Sequence, residues 1–126
     1  MKNNPVGWFE IYVQNMPRAK KFYEAVLDAK LDALPNPGEG PTEMLSFPMD
    51  MSSAGAAGAL VKMEGVTSGG GGIIIYFKCD DCNLHAGRVA ANGGKVIKPK
   101  FSLGQYGFAA LASDTEGNMF GMHSMK

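Results

Sequence analysis

The sequence predicts an α+β fold made of two copies of one strand–helix–strand–strand–strand module, and three observations predict it. Residues 8–28 (WFEIYVQNMPRAKKFYEAVLD) and 74–94 (IIYFKCDDCNLHAGRVAANGG) follow one plan, placing Val13 on Cys79, Arg18 on Leu84 and Tyr23 on Val89. Within each copy an apolar strand gives way, after a short polar break, to a helix-like stretch that ends in a turn. A glycine-rich run separates the copies, with every residue from 69 to 72 a glycine. Two copies indicate a paired fold rather than a solenoid, and they are expected to pack together around one cavity.

The elements follow in order. Residues 8–13 alternate with period two, with Trp8, Glu10 and Tyr12 on one face and Phe9, Ile11 and Val13 on the other, which predicts the first strand. Pro17 suits the first turn of a helix, and Ala19, Phe22, Tyr23, Val26 and Leu27 then recur at helical spacing, with Arg18, Lys20, Lys21 and Glu24 on a solvated face. A short strand over 30–34 is ended by Pro35 and the turn-forming run PNPGEGP at 35–41, and strands follow over 43–49 and 56–63. Residues 64–72 (EGVTSGGGG) read as flexible coil by composition. The second copy supplies a strand over 73–79, a helix over 81–91 stopped by Asn92-Gly93-Gly94, and a strand over 95–98. Its last two strands, 106–112 and 118–124, are joined by the turn sequence at 113–117. The expected organisation is one domain over 1–126, with a first module over about 6–64, a glycine linker over 65–72 and a second module over about 73–126.

Composition narrows the partners. The chain has 126 residues, 45% of them hydrophobic, enough for one core. Twelve basic residues balance twelve acidic ones, so no basic footprint for nucleic acid and no polybasic stretch for an anionic membrane is present. The expected partner is a small molecule or another protein. The N-terminal MKNNPVGWFE has no apolar run of the signal-peptide kind, no segment is long enough to span a bilayer, and two cysteines fit a reducing compartment, which together predict a cytoplasmic protein. The glycines at 69–72 precede a strand instead of opening a helix, which excludes a dinucleotide or phosphate-binding loop.

Three segments carry a resemblance. YVQNMPRAKKFYEAVLDAKL (12–31), YFKCDDCNLHAGRVAANGGKV (76–96) and SDTEGNMFGMHSMK (113–126) resemble, in order and spacing, the vicinal-oxygen-chelate superfamily of glyoxalase I, extradiol dioxygenases and the bleomycin and fosfomycin resistance proteins. The resemblance implies two βαβββ modules whose curved sheets enclose a cup, and homodimerisation. In metal-using members each module gives two ligands, usually His, Glu or Gln, because a divalent ion needs converging lone pairs at roughly 2.0–2.2 Å. The positions implied here are Trp8, Ile74, Gly121 and a strand within 55–61, and none of them carries a ligating side chain. No metal and no cofactor are therefore expected, and the chemistry that uses the ion to hold and polarise an oxygen substrate is not carried over.

Strand parity puts Glu10 and Tyr12 beside Trp8, Tyr76 and Lys78 beside Ile74, and Met119 and His123 beside Gly121. Glu10 and His123 are the candidate catalytic pair, a carboxylate and an imidazole acting as base and acid. The alternative makes Glu10 a solvated or salt-bridged strand residue and His123 a satisfied C-terminal histidine. Trp8, Tyr12, Tyr76, Lys78 and Met119 are candidate ligand contacts, the aromatic ones by stacking on a planar ligand or by ordinary packing between sheets. Gln105 and Tyr106 join them from the glycine-bearing stretch 101–107, a loop able to cover the cup mouth. The nine methionines read chiefly as core filler. Cys79-Asp80-Asp81-Cys82, with His85 beyond, has redox or zinc spacing, but Cys79 falls on the face opposite Tyr76 and the acidic pair reads as a helix start.

The leading expectation is a glyoxalase/bleomycin-resistance-like protein that binds a small organic molecule in its cup without the usual metal. The first alternative is a metal-independent isomerase, epimerase or lyase using Glu10 and His123. The second is a glyoxalase- or dioxygenase-like metalloenzyme whose site has slid to those two residues, and the third a regulatory module with a filled cup. Fold analogy leaves open whether any reaction is catalysed.

Overall fold

β1 (Val6–Tyr12), α1 (Met16–Leu27), β2 (Asp32–Leu34), β3 (Thr42–Ser46) and β4 (Ala57–Met63) are followed by β5 (Ile73–Lys78), α2 (Cys82–Val89), β6 (Lys95–Ser102), β7 (Phe108–Ser113) and β8 (Met119–Ser124) in the computed structural model, which describes residues 4–35 and 42–126. The order is βαβββ twice, the α+β fold expected. The turn run at 36–41 lies outside the described residues. Two compact units result: a first unit, Trp8–Ile73, and a second, Ile74–Lys126 with the chain up to Gly7.

In the first unit the strands lie in the order β2-β3-β4-β1, β1 parallel to β4 and the others antiparallel. α1 starts where the Asn15 side chain accepts the Arg18 N–H at 3.0 Å, with Pro17 in the first turn where its missing N–H costs nothing. It ends at Asp28, held left-handed at φ 49°, with its N–H on the Glu24 carbonyl. The helix buries Met16 against Leu31, Phe47 and Leu60, with Phe9, Ile11, Val13 and Tyr23 packed around them. Phe47 meets the rings of Phe9 and Tyr23 at centroid distances of 5.5 and 5.6 Å. The odd-numbered face of β1 is therefore the helix face, as its alternation predicts.

The second unit repeats the arrangement as β5-β8-β7-β6, with β5 parallel to β8. Asp81 caps α2 by accepting the Asn83 N–H at 2.9 Å, the helix start expected of the acidic pair, and a 3-10 turn over Ala90–Asn92 ends at Gly93 with φ 92°. Cys82 and Ala86 of α2 pack on Ala110, Ala112 and Met122.

Four of the differences from the sequence reading have a physical reason. β6 runs on to Ser102 through Pro99, because it is an edge strand with register shifts on either side of Lys98, where a missing N–H is tolerated. β7 begins only at Phe108, since Gly104–Tyr106 forms a 3-10 turn closed by the Leu103 N–H on the Gly107 carbonyl at 2.7 Å. β2 is shortened because the Leu31 N–H is taken by the Glu24 carboxylate at 2.8 Å. The glycine run is not featureless coil: Gly69 and Gly71 take positive φ, the Gly72 N–H bonds the Gly69 carbonyl at 2.8 Å, and the Gly72 carbonyl accepts the Tyr12 N–H at 2.7 Å.

The carboxyls of Asp114, Asp81, Asp50 and Glu24 are all held below their ordinary values, chiefly by hydrogen bonds from the Asn118 N–H, the Asn83 N–H, the Ser52 hydroxyl and the Leu31 N–H respectively. A depressed folded value means stability that is complete above the unfolded carboxylate range and is lost as pH falls through the folded values. Acid unfolding followed by circular dichroism is expected to set in below about pH 4, with a flatter slope in Asp114→Asn. An unchanged slope would mean that the Asp114 turn does not contribute.

Candidate functional site

Glu10 sits mid-strand on the face of β1 turned away from α1, and at 9% exposure it is buried. Trp8 and Tyr12, two residues to either side, share that face, and both donate to its carboxylate: Trp8 Nε1 to Oε2 at 3.1 Å and Tyr12 Oη to Oε1 at 2.6 Å. The facing positions on β4 are small, Ala57 beside Trp8 and Ala59 beside Glu10. Glu10 is thus a buried, hydrogen-bonded residue and not a solvated one. A carboxylate accepting two charge-assisted bonds is fixed in orientation. Tyr12→Phe removes the shorter bond, with an expected loss of about 1.5–3 kcal/mol in urea unfolding; a change within error would show the bond to be incidental.

In the second unit Ile74 and Tyr76 are buried and Lys78 is exposed. Tyr76 is the register partner of Gly121, and its ring occupies the space a Gly121 side chain would fill, meeting a Cβ there with Cδ2, Cε2 and Cγ. Lys78 is the register partner of His123. His123 Nε2 lies 2.6 Å from the Tyr106 carbonyl, which can only accept, so the proton sits on Nε2 and Nδ1 is the nitrogen left for a ligand. Gln105 and Tyr106 belong to the exposed 3-10 turn, and Tyr106 meets His123 through its backbone. Met119, 43% exposed, lies at the opposite end of β8 from His123. The structure therefore joins Trp8, Glu10 and Tyr12 in one cluster and Lys78, His123 and Tyr106 in another, while Met119 stands apart.

The sequence reading missed the stacking of Lys98 Nζ on Phe101, 4.0 Å from the ring centroid. Its only signal was the K-x-x-F spacing, which becomes one face only through the irregular register around Pro99. A largely apolar groove of about 420 Å³ lies on the helix side of the first unit, lined by Phe9, Tyr23, Val26, Leu27 and Phe47.

The Cys-x-x-Cys pair is not poised for redox chemistry. Cys82 is fully buried and burial pushes the Cys79 thiol up, with nearby Cys82 adding to the effect, whereas a reactive cysteine needs a lowered value. Titration of the native protein with a disulfide reagent is expected to show two slow thiols that become fast on denaturation; two fast native thiols would contradict this.

The paired βαβββ units and this site define a class. The family model for the Glyoxalase/Bleomycin resistance protein/Dioxygenase superfamily matches residues 6–122, and the chain belongs to that family. Among curated proteins it is 27% identical over 118 residues to "Putative glyoxylase CFP32" of Mycobacterium bovis and of Mycobacterium tuberculosis. That match covers 92% of this chain and 44% of the relatives, so the chain spans less than half their length. Among solved structures it resembles the hypothetical protein BH1468 from Bacillus halodurans C-125, with TM-score 0.73, 17% identity and coverage of 99% of this chain and 96% of that one. It also resembles a Streptomyces coelicolor methylmalonyl-CoA epimerase variant in complex with 2-nitronate-propionyl-CoA, with TM-score 0.68, 17% identity and coverage of 96% and 94%. At these identities the structural likeness is one of fold. No helix among the described residues is long and apolar enough to cross a membrane.

The residues present do not fit the divalent ion that metal-using relatives hold. The Trp8 indole is a donor without a lone pair and is spent on Glu10, Ile74 has no heteroatom, and Gly121 has no room for a side chain beneath Tyr76. Ala57, Ala59 and Val61 face β1 at Trp8, Glu10 and Tyr12. Among the described residues no group of three His, Cys, Asp or Glu side chains is placed to hold a metal.

Proposed function

We propose that the protein binds a small organic molecule and does so without the divalent ion of its metal-using relatives. The observation that carries this reading is Gly121 beneath the Tyr76 ring, because the position the family resemblance assigns to the last ligand has neither a donor atom nor space for one. Support for a small-molecule ligand comes from the family and from the acyl-CoA analogue bound by the epimerase relative. Trp8, Tyr12 and Tyr76 are the proposed aromatic contacts, Glu10 and Lys78 the polar ones, and Gln105, Tyr106 and Met119 the periphery. The test is a thermal-shift and native mass-spectrometry screen of charged and uncharged metabolites in excess chelator. The reading expects at least one ligand whose affinity is the same with and without chelator. Binding that appears only after a divalent ion is added overturns it.

A second reading, metal-independent isomerase, epimerase or lyase chemistry, is favoured by the fixed orientation of Glu10 between two donors and by the defined tautomer of His123. If a ligand from the screen is turned over in chelator, Glu10→Gln is expected to lower kcat by about 10²–10⁴. A ligand recovered unchanged makes the protein a sequestering one. Within the same proposal the protein acts as a cytoplasmic homodimer, and sedimentation at two concentrations checks the assembly.

A further inference from the structure

In the second unit the strand register aligns Lys78 of β5, His123 of β8, Ala109 of β7 and Phe101 of β6 in one transverse row. The row lies on the face away from α2, since the intervening positions Ala110 and Met122 pack on the helix. The register shifts around Lys98 turn that residue onto the same face, where its ammonium rests over Phe101. Three strand spacings of about 4.8 Å separate β5 from β6, so Lys78, His123 and Phe101, which carries the Lys98 ammonium, fall within roughly 14 Å.

The unit's carboxylates lie elsewhere. Asp114 and Glu116 are in the β7–β8 turn, beyond Met119 and so more than roughly 13 Å along the strand from His123. Asp114 is already engaged by the N–H groups of Glu116 and Asn118. Asp81 is on the helix side, paired with Lys100 at 3.1 Å, and Asp80 lies past the end of β5, where its charge acts on Cys79 of the helix face. Among the described residues neither Lys78 nor Lys98 forms a salt bridge, whereas Lys100 is paired with Asp81. A strand face with two ammonium groups and an imidazole, and none of its own unit's carboxylates within the row, is complementary to negative charge.

We infer that this face recognises the anionic group, carboxylate or phosphate, of the small molecule the protein binds, through Lys78, His123 and the Lys98–Phe101 pair. The inference rests on the small-molecule reading above and adds the ligand's charge. Lys78 and Lys98 supply freely rotating donors; with Nε2–H held by the Tyr106 carbonyl, His123 Nδ1 donates to an anion as the imidazolium, and as the neutral ring accepts from a protonated oxygen of the ligand.

The test titrates the isotope-labelled protein with inorganic phosphate and with malonate, followed by NMR, beside a set of uncharged compounds. Saturable shifts clustered at Lys78, His123 and Lys98 are expected. Lys78→Met and Lys98→Met should each weaken binding by about tenfold, the effect of one charge-assisted hydrogen bond, while Lys20→Met on α1 leaves it unchanged. The tighter of phosphate and malonate identifies the anionic group. Equal weakening by all three substitutions, or shifts scattered over every lysine, overturns the inference as non-specific screening. Binding of uncharged compounds without any anion response also overturns it and leaves the small-molecule reading standing. If no compound of either kind binds, both fall.

Discussion

Gly121→Val is expected to destabilise the protein by about 3 kcal/mol, at the upper end of the cost of overpacking a filled interior. On an open strand the same change would stabilise by up to about 1 kcal/mol, because valine suits a pleated surface and glycine does not. The sign is reversed here by Tyr76, whose Cγ as well as its outer ring atoms stands where the new side chain would begin. Cγ is one bond from the Tyr76 Cβ, so rotation of the ring tip brings no relief. A double-mutant cycle with Tyr76→Ala isolates this contact: the pair should cost less than the sum of the singles by at least about 1 kcal/mol. Additivity, or a neutral Gly121→Val, would show that the ring yields and that the position has room for a ligating side chain.

Leu60→Ala is the second large effect, expected to cost about 3–4 kcal/mol in urea denaturation. Leu60 has no exposed surface and touches the cluster of Met16, Leu31 and Phe47, so its loss leaves a cavity between α1 and β4. The adjoining residue Ala59 faces Glu10 on the opposite side of the sheet, so the same strand supports both core and site. Leu84→Ala serves as control: it is an apolar residue of α2 but 60% exposed, and its loss should stay within about 0.5 kcal/mol. Similar costs for both would contradict the assignment of the first unit's core.

Much of the fold was legible because its signals are local. Alternation over residues 8–13 separated the helix face from the face of Trp8, Glu10 and Tyr12, and Pro17, Asp81 and Gly93 marked helix ends through their own backbone requirements. What failed was set by partners distant in sequence. Pro99 lies inside a strand because β6 has a neighbour on one side only, which nothing near Pro99 reveals. The glycine run becomes a hydrogen-bonded turn because Tyr12, far earlier in the chain, supplies the donor for Gly72. At the candidate site, strand parity placed Trp8, Glu10 and Tyr12 on one face, but that both neighbours donate to the carboxylate depends on side-chain torsions that no pattern encodes. The ligand-poor positions were readable as residue types; that Tyr76 closes one of them was not.

A member of the glyoxalase and bleomycin-resistance family that binds its ligand with side chains alone should need no ion. The most direct measurement is metal content by mass spectrometry of untagged protein incubated with zinc, nickel and manganese ions and then passed through gel filtration, together with ligand affinity before and after chelator. Metal far below one ion per chain and an unchanged affinity are expected. A stoichiometric ion that survives filtration, is lost in Glu10→Gln and is required for ligand binding would contradict it.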